Sequence, residues 1–326
     1  MPGLSNRLIA AGYGLGWSVV CRVPESWAAW AFRTVADIAW RRQGPQVQVL
    51  EGNLSRVLGP GATGAELRAL SRESMQSYAR YWLEIFRLPV TTKEQLAVNT
   101  VVSGQHFEEA LDCLAAGRGV IFALSHMGNW DQAGAWLIAA RGVPSFTTVM
   151  ERLKPESLYD RFFAFREQLG FEILPASGGM VSAFGILSQR LREGKLVCLL
   201  ADRDVTGTGT EVDFFGEKAR MMGGSAALAE RTGAALFPAI LWYEGDCWGI
   251  YVDKEIRVPP DGDRKQKVAR MTQELAHAFE AGIRAHPADW HMLQRVFVAD
   301  LDPERLAVAE AKAAAQANAG EGGWAG

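Results

Sequence analysis

The sequence predicts an α/β protein with a largely parallel central sheet flanked by helices and a helical, membrane-facing N-terminal extension. Three observations carry that reading. Apolar runs such as VIFAL at 120–124 and KLVCLLA at 195–201 show no polar alternation, as expected of strands covered on both faces. These runs alternate with helix-spaced segments of ten or more residues, separated by glycine turns at Gly117-Arg118-Gly119 and Glu193-Gly194. Finally, four of the eleven tryptophans (Trp17, Trp27, Trp30 and Trp40) fall within the first forty residues.

Taken in order, the chain opens with LIAAGYGLGWSVVC between Arg7 and Arg22. At 14 residues this run is short of the roughly 20 that a bilayer span needs. Arg22, Pro24 and Glu25 follow it where a cleavable leader would place small residues, so export is disfavoured. Residues 1–60 hold six arginines (7, 22, 33, 41, 42 and 56) against Glu25, Asp37 and Glu51, a local charge of 6 − 3 = +3. Aromatic and basic residues on short apolar helices suit the interface of an anionic leaflet, although a Trp-rich core helix pair would read the same way.

An amphipathic helix is expected over 66–88, ending before Pro89. Next come a helix, the strand 120–124, a short loop, a second helix stopped at Gly142, and a strand over 145–150. The pattern repeats with FREQLGFEILPA, a helix over 180–192 and the strand 195–201. It repeats again with a helix over 224–232, the run 235–243, a return strand over 248–256 and a last helix over 264–285. No Pro/Ser-rich linker divides these units. We therefore expect residues 1–60 as a membrane-associating extension continuous with one α/β domain over 61–302. Residues 303–326, Ala-rich and then Gly-rich, read as a frayed helix and flexible tail.

Composition narrows the function. The 326 residues carry 34 Lys+Arg against 37 Asp+Glu, a net charge of −3, with no local basic stripe, which argues against nucleic acid as a partner. The four cysteines show no CxxC pairing and no nearby histidine spacing, so neither a disulfide framework nor a metal is expected. A reducing cytoplasm and a monomer fit.

The chemistry-bearing segment is Ser125-His126-Met127-Gly128-Asn129-Trp130-Asp131, directly after VIFAL. The carboxyl end of a parallel strand is where open α/β sheets place their ligands. An unperturbed imidazole titrates near ~6.5, so a neutral ring there can take a proton from a hydroxyl. Asp131, five positions on, meets His126 only if the chain turns, and Gly128 and Asn129 permit a turn. A carboxylate on the far ring nitrogen would hold the tautomer. Amides of Met127 to Asn129, at the start of the next helix, would favour an oxyanion. Read structurally, the same residues are a packed loop histidine and a helix N-terminal charge. His106, His277, His286 and His291 lie in helical or terminal context and read as structural.

The ordered set VIFALSHMGNWDQAGAW, ERLKPESLYDRFFAFREQLGFEILP and LLADRDVTGTGTEVDFFGEKARMMGGSAALAERTGAALFPA resembles the lysophospholipid/lipid A biosynthesis acyltransferase family. The ending PADWHMLQRVF is similar to its actinobacterial branch, the phosphatidylinositol mannoside acyltransferases. The resemblance spans roughly residues 5 to 300.

It implies acyl transfer from acyl-CoA, typically palmitoyl-CoA, to a mannose hydroxyl of a membrane glycolipid at the cytoplasmic face, by a peripheral protein with no cofactor. His126 would be the general base and Asp131 its orienting partner. Asp202 would be a second charge partner, and the sequence leaves open which of the two carboxylates is the main one. Glu151 and Arg166 would bind substrate, and Arg203 a phosphate of CoA or of the inositol lipid. Phe214 and Phe215 would line the acyl slot. A serine hydrolase is the weaker reading, since Ser125 adjoins His126 and no G-x-S-x-G elbow occurs. A non-catalytic lipid-binding module, or an acyltransferase for another glycolipid or lysophospholipid, stands as the alternative.

Overall fold

The computed structural model describes residues 17–151, 156–176, 183–205, 207, 209–304, 307 and 311. After a helical segment over 17–22 come three helices, α1 (Glu25–Arg41), α2 (Pro45–Leu58) and α3 (Gly64–Arg87). The start of α3 is fixed by a capping box. The Thr63 side chain accepts from the Glu66 amide, and Glu66 accepts from the Thr63 amide. A second capping box, Thr92 with Gln95, begins the short α4 (Lys93–Val98), which leads into β1 (Thr100–Ser103).

The α/β units then run α5 (His106–Ala115), β2 (Val120–Leu124), α6 (Trp130–Ala139), β3 (Phe146–Met150), α7 (Glu156–Gln168), β4 (Phe171–Pro175), α8 (Ala183–Arg192) and β5 (Leu196–Leu200). After a hairpin, β6 (Thr210–Phe214) and β7 (Glu217–Met221), come α9 (Gly224–Thr232), β8 (Ala235–Glu244), β9 (Cys247–Val252) and α10 (Arg264–Ala285). Among the described residues the main sheet has seven strands in the order β1-β9-β8-β2-β5-β3-β4. From β8 to β4 neighbouring strands are parallel; β9 is antiparallel to β8 and parallel to β1. The expected fold class is the observed one.

Central strand β2 is buried along its whole length, and its two faces feed two cores. Ile121 and Ala123 pack with α8, α9 and α10, whereas Val120, Phe122 and Leu124 pack with α3, α5, α6 and α7. That alternation follows from the two-residue strand period, and each buried Leu, Ile or Phe contributes about 1.5–3 kcal/mol. The three strands absent from the sequence reading, β1, β6 and β7, explain themselves. Strand β1 is only four residues long. The β6–β7 hairpin turns on Phe215 (φ 50°) and Gly216 (φ 79°), a two-residue primed turn in which phenylalanine occupies the place usually held by Asn or Gly.

That hairpin corrects the expectation for Phe214 and Phe215. Phe214 is fully buried against Phe297 and Trp290, and Phe215 packs on Trp290 beneath the Arg284 guanidinium. Both belong to the core on the α10 side and neither lines the cavity described below.

In the extension, α1 buries Ala28 and Ala36 and turns Trp27 (71% exposed) and Trp30 (70%) outward together with Val35 and Ile38. The other two tryptophans point inward. Trp40 donates its indole N–H to Ser71 at 2.9 Å, and Trp17 packs on Phe86, Phe162 and Phe165. No described helix is long and apolar enough to cross a membrane. The apolar run at 8–21 up to residue 16, the start of the expected 180–192 helix, and most of the 303–326 tail lie outside the described residues.

Candidate active site

Strands β2 and β5 are parallel neighbours with Leu124 opposite Leu200. The pairing continues past their ends, where the Ala201 amide donates to the Leu124 carbonyl at 2.8 Å. Two residues beyond each strand end stand His126 and Asp202, which the strand period turns to the same face of the sheet. His126 Nδ1 meets Asp202 Oδ1 at 2.5 Å, and the His126 amide donates to Asp202 Oδ2 at 2.8 Å. The indole N–H of Trp290 adds a third donor, to Oδ2 at 3.0 Å.

Asp202 is wholly buried, which by itself pushes its carboxyl up. The His126 charge, the two His126 hydrogen bonds and the Trp290 indole outweigh that burial and hold it below the ordinary aspartate value. An ionised carboxylate can only accept, so Nδ1 carries the hydrogen and Nε2 is the ring nitrogen left for a substrate proton.

The loop that carries His126 is fixed from both sides. Gly128 adopts φ 54°, and a Cβ there would stand 2.8 Å from the Leu241 carbonyl carbon. Only glycine fits that combination of backbone angle and close approach. Asn129 caps α6, its Oδ1 accepting from the Gln132 amide at 3.0 Å and its amide nitrogen donating to Glu84 at 2.8 Å. Residues 126–128 pair antiparallel with 289–291, through Gly128 N–H to Asp289 O at 3.0 Å and His291 N–H to His126 O at 2.8 Å. Local hydrogen bonding corrects the oxyanion expectation for two of the three amides. The Met127 amide is spent on Ser125 O at 2.7 Å and the Gly128 amide on Asp289 O.

Asp131 is not the carboxylate that holds His126. Helix α6 begins at Trp130, so Asp131 lies in its first turn and its carboxylate is taken by α7 and α3. Arg166 binds it through both oxygens, Nε to Oδ1 at 2.6 Å and Nη2 to Oδ2 at 2.9 Å, and the Tyr81 hydroxyl donates to Oδ2 at 3.1 Å. Burial works against the Arg166 charge, but the adjacent Asp131 more than compensates and raises its pKa above the ordinary arginine value. Arg166 thus stays cationic. Glu151, just past the end of β3, receives Arg203 Nη2 at 2.8 Å, while Arg203 Nε is buried without a hydrogen-bond partner among the described residues.

These residues border one cavity of about 430 Å³. His126, Asp131, Glu151, Arg166 and Arg203 line it, and Tyr78, Tyr81, Trp82, Trp130 and Phe162 wall it from α3, α6 and α7. It runs back along the sheet past Leu124, Cys198 and Phe122 to Phe107 and Trp136, becoming apolar with distance from the imidazole.

His291, read from sequence as structural, also lines this cavity. Its Nε2 meets Ser77 Oγ at 2.8 Å, and Ser77 donates to Asp289 Oδ1 at 2.6 Å. Burial pushes the His291 pKa down to about 3, with the nearby His126 acting in the same direction, so the ring is neutral. Trp290 was missed altogether. Its signal was the alternation in Asp289-Trp290-His291, a strand-like triplet whose outer side chains reach Ser77 while the middle one reaches Asp202.

Comparison with known proteins identifies the family. Residues 5–298 match the family of bacterial lipid A biosynthesis acyltransferases. The chain is 48% identical over 306 residues to the phosphatidylinositol mannoside acyltransferase of Mycolicibacterium smegmatis, covering 93% of this chain and 96% of that protein. It is 49% identical over 300 residues to the protein of the same name from Mycobacterium tuberculosis, covering 90% of each. The chain belongs to the bacterial lipid A biosynthesis acyltransferase family and is an acyltransferase.

Proposed function

With that membership as the premise, we propose that this enzyme transfers a long fatty acyl chain, palmitoyl foremost, from acyl-CoA to a mannose hydroxyl of phosphatidylinositol mannoside at the cytoplasmic face of the cell membrane. The acceptor is taken from the activity named for the mycobacterial relatives. One observation carries the chemistry: an imidazole whose Nδ1 is held by a buried aspartate opens on a cavity that becomes apolar with depth.

In this reading His126 Nε2 takes the proton of the sugar hydroxyl as its oxygen attacks the thioester carbonyl. Asp202 steadies the imidazolium. The tetrahedral intermediate expels the CoA thiolate, and His126 returns the proton to that sulfur, leaving ester and thiol. No covalent acyl-enzyme and no metal enters the scheme. The acyl chain lies along the Leu124–Phe122 wall, where each buried methylene contributes about 0.8 kcal/mol.

Arg166, kept cationic by Asp131, and the Glu151–Arg203 pair border the polar end, where Arg203 suits a phosphate of CoA or of the inositol lipid. The outward face of α1 is assigned to the anionic leaflet, since an apolar stripe with Arg22, Arg33, Arg41 and Arg42 close by matches interfacial helices.

The test is incubation with palmitoyl-CoA and a panel of glycolipids, with products identified by mass spectrometry. Acylated phosphatidylinositol mannoside is expected from the wild type and none from a folded His126→Ala variant. Full transfer by His126→Ala would overturn the mechanism, and an acylated product from a different lipid alone would overturn the acceptor.

A further inference from the structure

We propose that Trp290 is a positioning residue of the His126–Asp202 pair, its indole N–H setting both the aim of the Asp202 carboxylate and the hold of that carboxylate on the imidazole. The inference rests on the general-base reading of His126.

Asp202 is wholly buried and receives three hydrogen bonds. Oδ1 takes the ring Nδ1–H of His126, and Oδ2 takes the His126 amide and the indole. Two donors converging on Oδ2 prevent the carboxylate from rotating, so Oδ1 stays on the imidazole. The indole is itself immobile. Trp290 is fully buried, packs edge-on to Phe214 and against Phe215, and pairs through its backbone with Met127. Its sequence neighbours Asp289 and His291 are tied on the opposite side to Ser77 of α3.

An indole is a donor only, so it stabilises the ionised carboxylate by drawing charge toward Oδ2. Without it, more charge falls on Oδ1, the imidazolium is held more tightly and the base is released at higher pH. The other ionisable groups around the ring are already committed. His291 is buried and neutral, Asp131 is paired with Arg166, and Glu151 with Arg203.

The experiment compares wild type, Trp290→Phe, Asp202→Asn and the double variant over a range of pH, with palmitoyl-CoA as donor. In Trp290→Phe we expect kcat to fall about tenfold with the KM for acyl-CoA unchanged, and the acid limb of kcat/KM to move up by about half a pH unit. In the Asp202→Asn background the same substitution should add less than about twofold, because the charge on which it acts is gone.

Equal losses in both backgrounds, with the acid limb in place, would reduce Trp290 to packing and overturn the inference. So would a wild-type kcat in Trp290→Phe. If Trp290→Phe does not fold, β-(3-benzothienyl)alanine at position 290 keeps the ring shape and replaces N–H by sulfur, and the same outcomes decide. Loss of transfer in His126→Ala alongside an unaffected Trp290→Phe would sink this inference and leave the proposed function standing; transfer by His126→Ala would sink both.

Discussion

Two buried carboxylates stand near His126, one behind its ring and one in the cavity wall, and are held by opposite means. Asp202 is bound by an imidazole, an amide and an indole, three groups of which one can gain or lose a proton. Asp131 is bound by a bidentate guanidinium and a phenol, and its charge is permanently cancelled. In the proposed mechanism the contrast separates two jobs. A carboxylate that must answer a proton arriving on its neighbour belongs beside histidine; one that must keep a cation fixed in a half-buried wall belongs beside arginine.

The largest effect that would break this contrast is on turnover. In the proposed mechanism Asp202→Asn leaves the shape but removes the charge that steadies the imidazolium, so kcat should fall about 10³–10⁴-fold, read as transfer from palmitoyl-CoA. If Asp131→Asn matched that loss while Asp202→Asn stayed near wild type, the two carboxylates would have exchanged roles.

The second effect is on folding. Asp131→Asn leaves the largely buried Arg166 without its counter-charge and should cost about 3 kcal/mol in denaturant unfolding, more than Asp202→Asn costs. Equal midpoints for the two variants would remove the distinction.

A third measurement sharpens the neutral side of the site. His291 titrates at about 3 in the fold against an ordinary 6.5, a lowered value for a base, so the unfolded chain binds the proton first. Stability from this ring is complete above pH ~7 and declines as pH falls through 6.5 toward 3, by about 2 kcal/mol between pH 7 and 5. His291→Gln should flatten the unfolding free energy over that window by the same amount; an unchanged slope would place the titration elsewhere.

The smallest stability effect lies on α1. Trp27→Ser with Trp30→Ser should leave the unfolding midpoint within about 0.5 kcal/mol, since both rings are exposed, yet release the protein from anionic vesicles in a sedimentation assay. Unchanged sedimentation would move the membrane face off α1.

The same two carboxylates show what was legible in the sequence. Elements with strong local signals were read to the residue: β2 as an unbroken apolar run, α9 between glycines, and α10 over 264–285. His126 was found because a histidine just past a buried strand is conspicuous. Its partner stayed open between Asp131 and Asp202, because nearness in sequence favours the first and only nearness in space selects the second. Asp131 is five residues from His126 and turned away by the start of a helix, whereas Asp202 is 76 residues away and brought alongside by the β2–β5 register. No local pattern reports which strands are neighbours. Phe214 and Phe215 were misplaced for a related reason, since a phenylalanine at positive φ hides the hairpin that carries both into another core.

The pairing of residues 126–128 with 289–291 has a consequence for biosynthesis. Chains leave the ribosome from the N-terminal end, and His126 and Asp202 are made well before the triplet that braces them. Until Trp290 has emerged, the nascent chain holds His126 and Asp202 without the indole that completes the donors around the carboxylate, so the full constellation is assembled only late in synthesis.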